Sequence, residues 1–196
     1  MGKDFTSGLR PALVLTLLFA ILLGIGYPLA MTGLAQAIFP SQANGSLIRD
    51  GDRVIGSSVL GQSFTSDRYF QTRPSAAGKG YDALASAGSN LGPTDKRLVD
   101  RVTTDIASRR ADGVTGSVPA DLVTASASGL DPDLSPAAAR AQVVRVARVR
   151  GLPQAAVRDL VARHTQDPTL GFLGEAHVNV LALNRDLDRF RGVAPR

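Results

Sequence analysis

Cysteine and tryptophan are absent from this chain of 196 residues, and only two histidines occur. The motifs H-E-x-x-H, C-x-x-C, G-x-x-x-x-G-K-[ST] and G-x-G-x-x-G are also missing. These absences exclude the usual sequence routes to a zinc site, a P-loop and a dinucleotide site. The lack of cysteine fits an exported domain without disulfides, and it fits a reducing compartment equally well.

Charge is absent from one long stretch near the N-terminus. No charged residue occurs between Arg10 and Arg49, and residues 13–34 exceed the roughly 20 apolar residues that a helix needs to cross a bilayer. Lys3 and Arg10 precede the stretch, which predicts that the N-terminus is cytoplasmic. We therefore expect three parts: a cytoplasmic tail at residues 1–10, a transmembrane helix at 11–34 and an extracytoplasmic domain at 35–196.

A cleaved signal peptide is the alternative interpretation, with Ala35-Gln36-Ala37 as its cleavage site. The apolar stretch is longer than the 7 to 15 residues of a usual signal-peptide core, which favours a retained anchor. Small or helix-perturbing residues also recur at every fourth position, as in helices that pack closely in lipid. These residues are Thr16, Ala20, Gly24, Pro28 and Thr32.

Lysine is scarce, although the chain carries a formal net charge of +5. Lysine occurs only at Lys3, Lys79 and Lys96, and the arginines alternate with apolar residues without forming one basic stripe. This pattern is typical of solvated helix faces. It does not indicate a nucleic-acid partner.

The remainder of the chain predicts one helix-rich α+β domain. Two short strands are expected at residues 46–49 and 54–60, followed by a long loop at 61–93 and a helix at 94–110 capped by Thr94. A second helix should begin after Ser135 and end at Gly151, and a third should begin at Pro153 and form a hairpin with it. The last element, residues 178–190, should start as a strand and continue as a helix.

Two catalytic or metal-binding interpretations are weak. Asp131-Pro132-Asp133 begins like a calcium loop, but Pro136 and Gln142 stand where such a loop needs glycine and glutamate. His164 or His177 could form a hydrolytic triad with Ser126 or Ser128 and with Asp121 or Asp131. The motif G-x-S-x-G is absent, however, and only geometry identifies a triad.

Several long segments together resemble the C subunit of the bacterial Kdp-type potassium-transporting ATPases. The resemblance covers nearly the whole chain, and the chain departs from the family pattern at Ala87, Asp133, Leu134 and Ala176. The matching segments are residues 27–28 (YP), 36–47 (QAIFPSQANGSL), 61–64 (GQSF), 69–76 (YFQTRPSA), 88–93 (GSNLGP), 118–136 (VPADLVTASASGLDPDLSP), 145–152 (RVARVRGL), 174–175 (GE) and 178–184 (VNVLALN).

The resemblance implies a single-pass protein of the bacterial inner membrane, without an active site or cofactor of its own. Its implied partners are a potassium-channel-like subunit, a P-type ATP-hydrolysing subunit and a small single-span subunit, and ATP and K⁺ act in that complex. In the family the helix packs beside the channel-like subunit, and the domain lies over its extracytoplasmic mouth. A solitary single-span sensor or binding module is the alternative.

The resemblance also implies two sets of contact residues. In the family, a Q-x-x-R segment, here Gln142 and Arg145, is proposed to touch nucleotide and to raise the ATP affinity of the pump subunit. We expect the partner contacts to come from the helix face of Thr16, Ala20, Gly24 and Pro28 and from three loops. The loop residues are Tyr69, Phe70, Arg73, Pro74, Ser89, Asn90, Ser126, Ser128 and Asp131.

Overall fold

The computed structural model describes residues 2–190, with side chains from residue 7 onward. The chain forms two units: the first ends at Leu47 and the second begins at Ile48. Helix and sheet are both present, as the α+β prediction requires. Met1 of the predicted tail and residues 191–196 of the predicted domain lie outside the described residues.

The first unit is one long helix with a short continuation. It comprises α1 (Gly2–Ile21), a π-helical turn (Leu22–Gly26) and α2 (Tyr27–Ile38), followed by α3 (Pro40–Ala43). Residues Ser7–Ile38 are long and apolar enough to cross a membrane, and their most apolar window is not buried within the protein. The helix extends beyond the predicted 11–34. It ends where Pro40 disfavours the helical conformation of Phe39, whose φ is −129°.

Pro28 explains the π-helical turn. Proline has no N–H to donate, and its ring clashes with the carbonyl four residues earlier in a regular helix. The π turn ends at Gly26, two residues before Pro28, and the Tyr27 N–H bonds to the Leu22 carbonyl. Residues spaced by four drift around a regular helix of 3.6 residues per turn. Because a π turn rotates the chain less per residue, it offsets part of this drift between Thr16 and Pro28.

The second unit opens with a hairpin and a long loop. Strands β1 (Leu47–Asp50) and β2 (Arg53–Ser57) pair around Gly51, whose φ is +57°. Residues 61–93, all within the described range, form neither helix nor strand, as predicted.

Helix α4 (Lys96–Ala111) follows the loop. Its N-cap is Asp95 and not the predicted Thr94, because the Asp95 carboxylate accepts the Arg97 N–H at 2.8 Å. Leu98, Val102 and Ile106 are half-buried, whereas Val99, expected on the same face, is exposed.

Three helices form the centre of the second unit. They are α5 (Pro136–Ala141), α6 (Val143–Arg150) and α7 (Gln154–His164). The Ser135 hydroxyl caps α5, and Gly151 ends α6 in the left-handed conformation, both as predicted. The single helix expected before Gly151 is interrupted at Gln142, whose N–H bonds to the Ala139 carbonyl, one residue nearer than in an α-helix.

A short antiparallel sheet closes the fold. Strands β3 (Asp133–Leu134), β5 (His177–Asn179) and β4 (Thr165–Gln166) lie in that order, with Val178 opposite both Leu134 and Thr165. Helix α8 (Val180–Arg189) follows β5 at once, capped by Asn179. The predicted change from strand to helix is confirmed, although β5 begins and ends earlier than expected.

The core lies between α5–α8 and the sheet. Burying these aliphatic side chains supplies the main driving force for folding. Two residues from outside these elements, Phe70 of the long loop and Leu122 of a 3₁₀ turn (Ala120–Leu122), are also completely buried. The other large core side chains are Leu134, Val143, Val146, Val157, Leu160, Val161, Val178, Val180, Leu183 and Leu187.

Candidate functional site

Gln142 lies at the break between α5 and α6 and holds the long loop. Its Oε1 accepts the Gln71 N–H at 2.8 Å, and its Nε2 donates to the Gln71 carbonyl at 2.9 Å. The residue is only 2% exposed. The side-chain amide therefore does for Gln71 what a neighbouring strand would do, satisfying both backbone groups.

Arg145 lies one helical turn later and binds the same loop. It donates to the carbonyls of Asp67 at 2.6 Å and Tyr69 at 3.1 Å, and to Gln142 Oε1 at 2.8 Å. Burial lowers the pKa of its guanidinium, while the carboxylates of Asp112 and Asp67, each just under 4 Å away, act in the opposite direction.

Asn184 completes the arrangement from α8. Its Oδ1 accepts the Phe70 N–H and its Nδ2 donates to the Phe70 carbonyl, both at 2.9 Å. Phe70 itself has no exposed surface and lies in the core, not on the surface where a partner contact was expected. We call Gln142, Arg145 and Asn184 the polar cluster, and residues 67–71 the held loop.

Tyr69 remains partly exposed at the edge of the held loop. Its hydroxyl donates to Asp188 at 3.0 Å, and the Arg150 guanidinium lies 4.8 Å from its ring centroid. Arg150 also donates to the Arg68 carbonyl at 2.7 Å. This predicted contact residue is thus tied to α6 and α8 as well.

Arg73 joins two of the predicted contact loops. Its Nη1 donates to the Asp131 carboxylate at 2.9 Å, and its Nε donates to the Thr124 carbonyl at 3.4 Å. The Tyr81 hydroxyl donates to the Arg73 carbonyl at 2.8 Å, and burial raises the pKa of that phenol. The Arg73 guanidinium, expected to contact a partner, therefore binds a carboxylate of its own domain.

Residues 72–93 and 124–131 are also joined through small residues. The Ser75 hydroxyl donates to the Gly129 carbonyl at 2.6 Å, and the Ala87 N–H donates to the Ser128 carbonyl at 3.0 Å. A Cβ on Gly129, whose φ is +67°, would lie 2.6 Å from the Ala77 nitrogen. Only glycine fits this close approach.

An open groove of about 680 Å³ lies along these two loops. It brings together Arg73, Ser126, Ser128 and Asp131 of the predicted contact residues. Pro74 and Ser89 are half-buried, and Asn90 is exposed with a left-handed φ of +51°. The remaining groove residues are Val59, Leu60, Ser86, Ala125, Ala127, Leu130 and Pro132.

The predicted contact face of the helix belongs to the first unit. Thr16, Ala20, Gly24 and Pro28 are all exposed there. An added Cβ on Gly24 would meet no atom within 4 Å.

The histidines make other contacts than a hydrolase would need. His164 Nε2 lies 2.9 Å from Asp186, and His177 Nδ1 lies 3.0 Å from the Glu175 carbonyl. Among the bonds of residues 7–190, neither histidine is joined to a serine. A triad with Ser126 or Ser128 is therefore not assembled in the described part of the chain.

Asn184 is a site residue that the sequence analysis did not identify. The available signal was its position: it lies on the apolar face of α8, between the buried Leu183 and Leu187. A polar side chain on such a face needs an internal partner. The sequence does not say that this partner is a backbone segment 114 residues away.

Comparison with known proteins identifies the family of this chain. Residues 9–189 match the family model described as K⁺-transporting ATPase, c chain. A "Potassium-transporting ATPase KdpC subunit" from Caulobacter vibrioides is 58% identical over 183 residues, 93% of each chain. Proteins of the same name from Gemmatimonas aurantiaca (57% identical, 95% of each chain) and Acidobacterium capsulatum (56% identical, 92% of this chain and 97% of the relative) are also similar. The chain therefore belongs to the KdpC family, the c chain of the K⁺-transporting ATPase.

Proposed function

We propose that this subunit is a non-catalytic assembly component that binds the potassium-channel-like subunit through the groove and its two loops. One observation carries the proposal: residues 72–93 and 124–131, two loops joined to each other by hydrogen bonds of Arg73, Ser75 and Ala87, line an open groove. Ordered loops on a rigid scaffold are typical binding surfaces. The expected partners of the complex are the channel-like, ATP-hydrolysing and small single-span subunits.

The proposed topology places the domain outside the cytoplasm. Lys3 and Arg10 precede the apolar stretch of residues 13–34, which supports a cytoplasmic N-terminus under the positive-inside rule. The apolar surface of the helix supports its role as a retained anchor in the inner membrane.

The groove can be tested without disturbing the bonds that hold its loops. Ala127 is exposed in the groove, so Ala127→Arg should obstruct a partner, whereas Ala137→Arg, at an exposed position of α5, should not. We expect Ala127→Arg to weaken co-purification of the complex at least about tenfold, the magnitude of a central interface residue. Equal recovery of the complex with both variants would contradict the proposal.

We further propose that any effect of Gln142 and Arg145 on ATP affinity is indirect. The polar atoms of the Gln142 amide are bonded to Gln71 and Arg145, so contact with a nucleotide would require the held loop to move. On the expected topology, ATP also lies across the membrane from these residues. An effect across the membrane would need an element with two states that both sides bias.

Asn184 provides a matched control for this point. It binds Phe70 as Gln142 binds Gln71, but it lies outside the Q-x-x-R segment. If the held loop transmits the effect, Gln142→Ala and Asn184→Ala should change the KM for ATP of the complex in the same direction and to a similar degree. A change with Gln142→Ala alone would support direct contact with nucleotide.

A further inference from the structure

A short loop between β4 and β5 exposes three large apolar side chains. Leu170 is 79% exposed, Phe172 is 73% exposed and Leu173 is 52% exposed. The loop is closed by two backbone bonds between Thr169 and Leu173, at 3.0 and 2.9 Å. We call residues 169–173 the apolar tip.

Leu170 occupies an unfavourable backbone position. Its φ is +56° and that of Gly171 is +79°, while the Phe172 N–H bonds to the Thr169 carbonyl. Two successive residues with positive φ are typical of a type I′ turn, where Asn, Asp or Gly is preferred. A leucine there costs about 1 to 2 kcal/mol relative to an unstrained conformation.

The fold of the domain does not require these exposed side chains to be apolar. An exposed asparagine at position 170 would relieve the turn and leave no apolar surface in water. Leu170, Phe172 and Leu173 are all outside the buried core. A cluster of exposed apolar side chains that includes a leucine kept in an unfavourable backbone conformation indicates a surface that is covered in the assembled state.

Two carboxylates flank the apolar tip. Asp167 and Glu175 are both exposed, and within residues 7–190 neither side chain forms an ion pair. The segment between them, residues 168–174, is uncharged. A surface that covers the apolar tip would therefore be apolar at its centre and basic at its rim.

We propose that the apolar tip docks into an apolar pocket, rimmed by Lys or Arg, on another protein subunit of the potassium-transporting ATPase. This inference rests on the proposed function and adds a second contact to it. Lipid anchors combine apolar side chains with basic ones, whereas this tip is flanked by acidic ones. A second copy of the chain would bring like charges together.

The absence of cysteine makes a site-specific test possible. Leu170→Cys in the full chain can be labelled with a benzophenone maleimide in native membranes, irradiated and analysed by mass spectrometry. We expect an adduct with another subunit of the ATPase, and no such adduct from Val99→Cys, at an exposed apolar position of α4. Adducts with lipid or a second copy only, the same adduct from Val99→Cys, or no adduct would overturn the proposal.

Substitution separates docking from folding. Leu170→Asn relieves the turn, so the chain should fold at least as well, yet co-purification of the complex should fall at least about tenfold. Phe172→Ser should act in the same way. Asp167→Asn with Glu175→Gln should cost about two- to fivefold, and the loss should shrink as salt is raised.

The unchanged chain serves as the reference that distinguishes two failures. If it does not co-purify with the other subunits, the proposed function fails, and the docking inference fails with it. If it co-purifies and the Leu170→Asn and Phe172→Ser variants do so equally well, only the docking inference is overturned.

Discussion

The held loop rests on buried polar side chains, whereas the apolar tip exposes apolar ones. Beneath residues 67–71 lie three buried polar side chains, Gln142, Arg145 and Asn184, which bind the backbone of the loop. At residues 169–173 the chain places apolar side chains outside, and the loop is closed by its own backbone bonds. A buried irregular segment has backbone groups that need partners, whereas an exposed turn can use water. The difference separates residues required for folding from residues available for binding.

The largest expected effect comes from removing the cation of the polar cluster. Arg145→Met leaves the carbonyls of Asp67 and Tyr69 without their donor and should lower the free energy of unfolding by roughly 3 to 5 kcal/mol. Arg148→Met, an exposed position on the same helix, should change it by less than about 0.5 kcal/mol. Denaturant unfolding of the full chain in mild detergent, followed by circular dichroism, measures both. Equal stability of the two variants would mean that the held loop contributes little.

The next largest effect on stability tests whether the two loops of the groove are packed closely against each other. Gly129→Ala combines a positive φ with a Cβ 2.6 Å from the Ala77 nitrogen, so it should destabilise by roughly 2 to 4 kcal/mol. Gly116→Ala has a similar φ, +80°, but open space around the Cβ, so about 1 kcal/mol is expected. The same unfolding experiment compares the two. If they cost the same, close packing of the two loops is not what Gly129 provides.

The apolar tip should respond in the opposite direction. Leu170→Asn should raise the free energy of unfolding by about 1 kcal/mol, because asparagine tolerates a positive φ better than leucine. Its midpoint in the denaturant titration would then lie above that of the unchanged chain. A destabilised variant would show that the leucine serves the fold, and the contrast with the held loop would be lost.

The smallest effect concerns Asp133, which lies in the edge strand β3 of the sheet. Burial raises the pKa of its carboxyl, and the nearby Asp131 acts in the same direction, while His177 and the Asn179 hydrogen bond oppose them. A raised folded pKa favours the folded state below the unfolded pKa, near 3.9, and this contribution is lost as pH rises through the folded pKa. Asp133→Asn should therefore gain stability relative to the unchanged chain between pH 4 and pH 7. The gain should not exceed about 0.5 kcal/mol, because the carboxyl is half-exposed.

Denaturant unfolding midpoints of Asp133→Asn and of the unchanged chain, at pH 4 and at pH 7, measure this difference. The expected result is a small gain for Asp133→Asn at pH 7 that is reduced at pH 4. A loss of stability for Asp133→Asn at pH 7 would mean that the Asp133 charge stabilises the fold.

Local signals in the sequence predict much of the fold. Ser135 and Pro136 mark the start of α5, and Gly151 marks the end of α6, because capping depends on residues close in sequence. The apolar helix is equally predictable, because a candidate membrane span is recognised by its length and composition alone. The π turn before Pro28 was not predicted, although proline is a known cause of such local changes.

The candidate site was less predictable because its contacts are distant in sequence. Gln142 and Arg145 were identified through the resemblance, but the sequence does not show that they bind a segment more than 70 residues away. Phe70 was expected at a partner surface, and its aromatic ring instead fills the core. The sequence analysis assigns no role to residues 169–173, because exposure is a property of the folded chain and not of a five-residue segment.

The most direct test of the central claim is the potassium-stimulated ATPase activity of the complex purified with and without this chain. Tagged full-length chain from potassium-starved cells should bring down a channel-like subunit and a P-type ATPase, and the activity should be lost when the chain is deleted. A chain that purifies alone, with potassium-stimulated hydrolysis unchanged in its absence, would contradict the assembly role and favour a solitary anchored module.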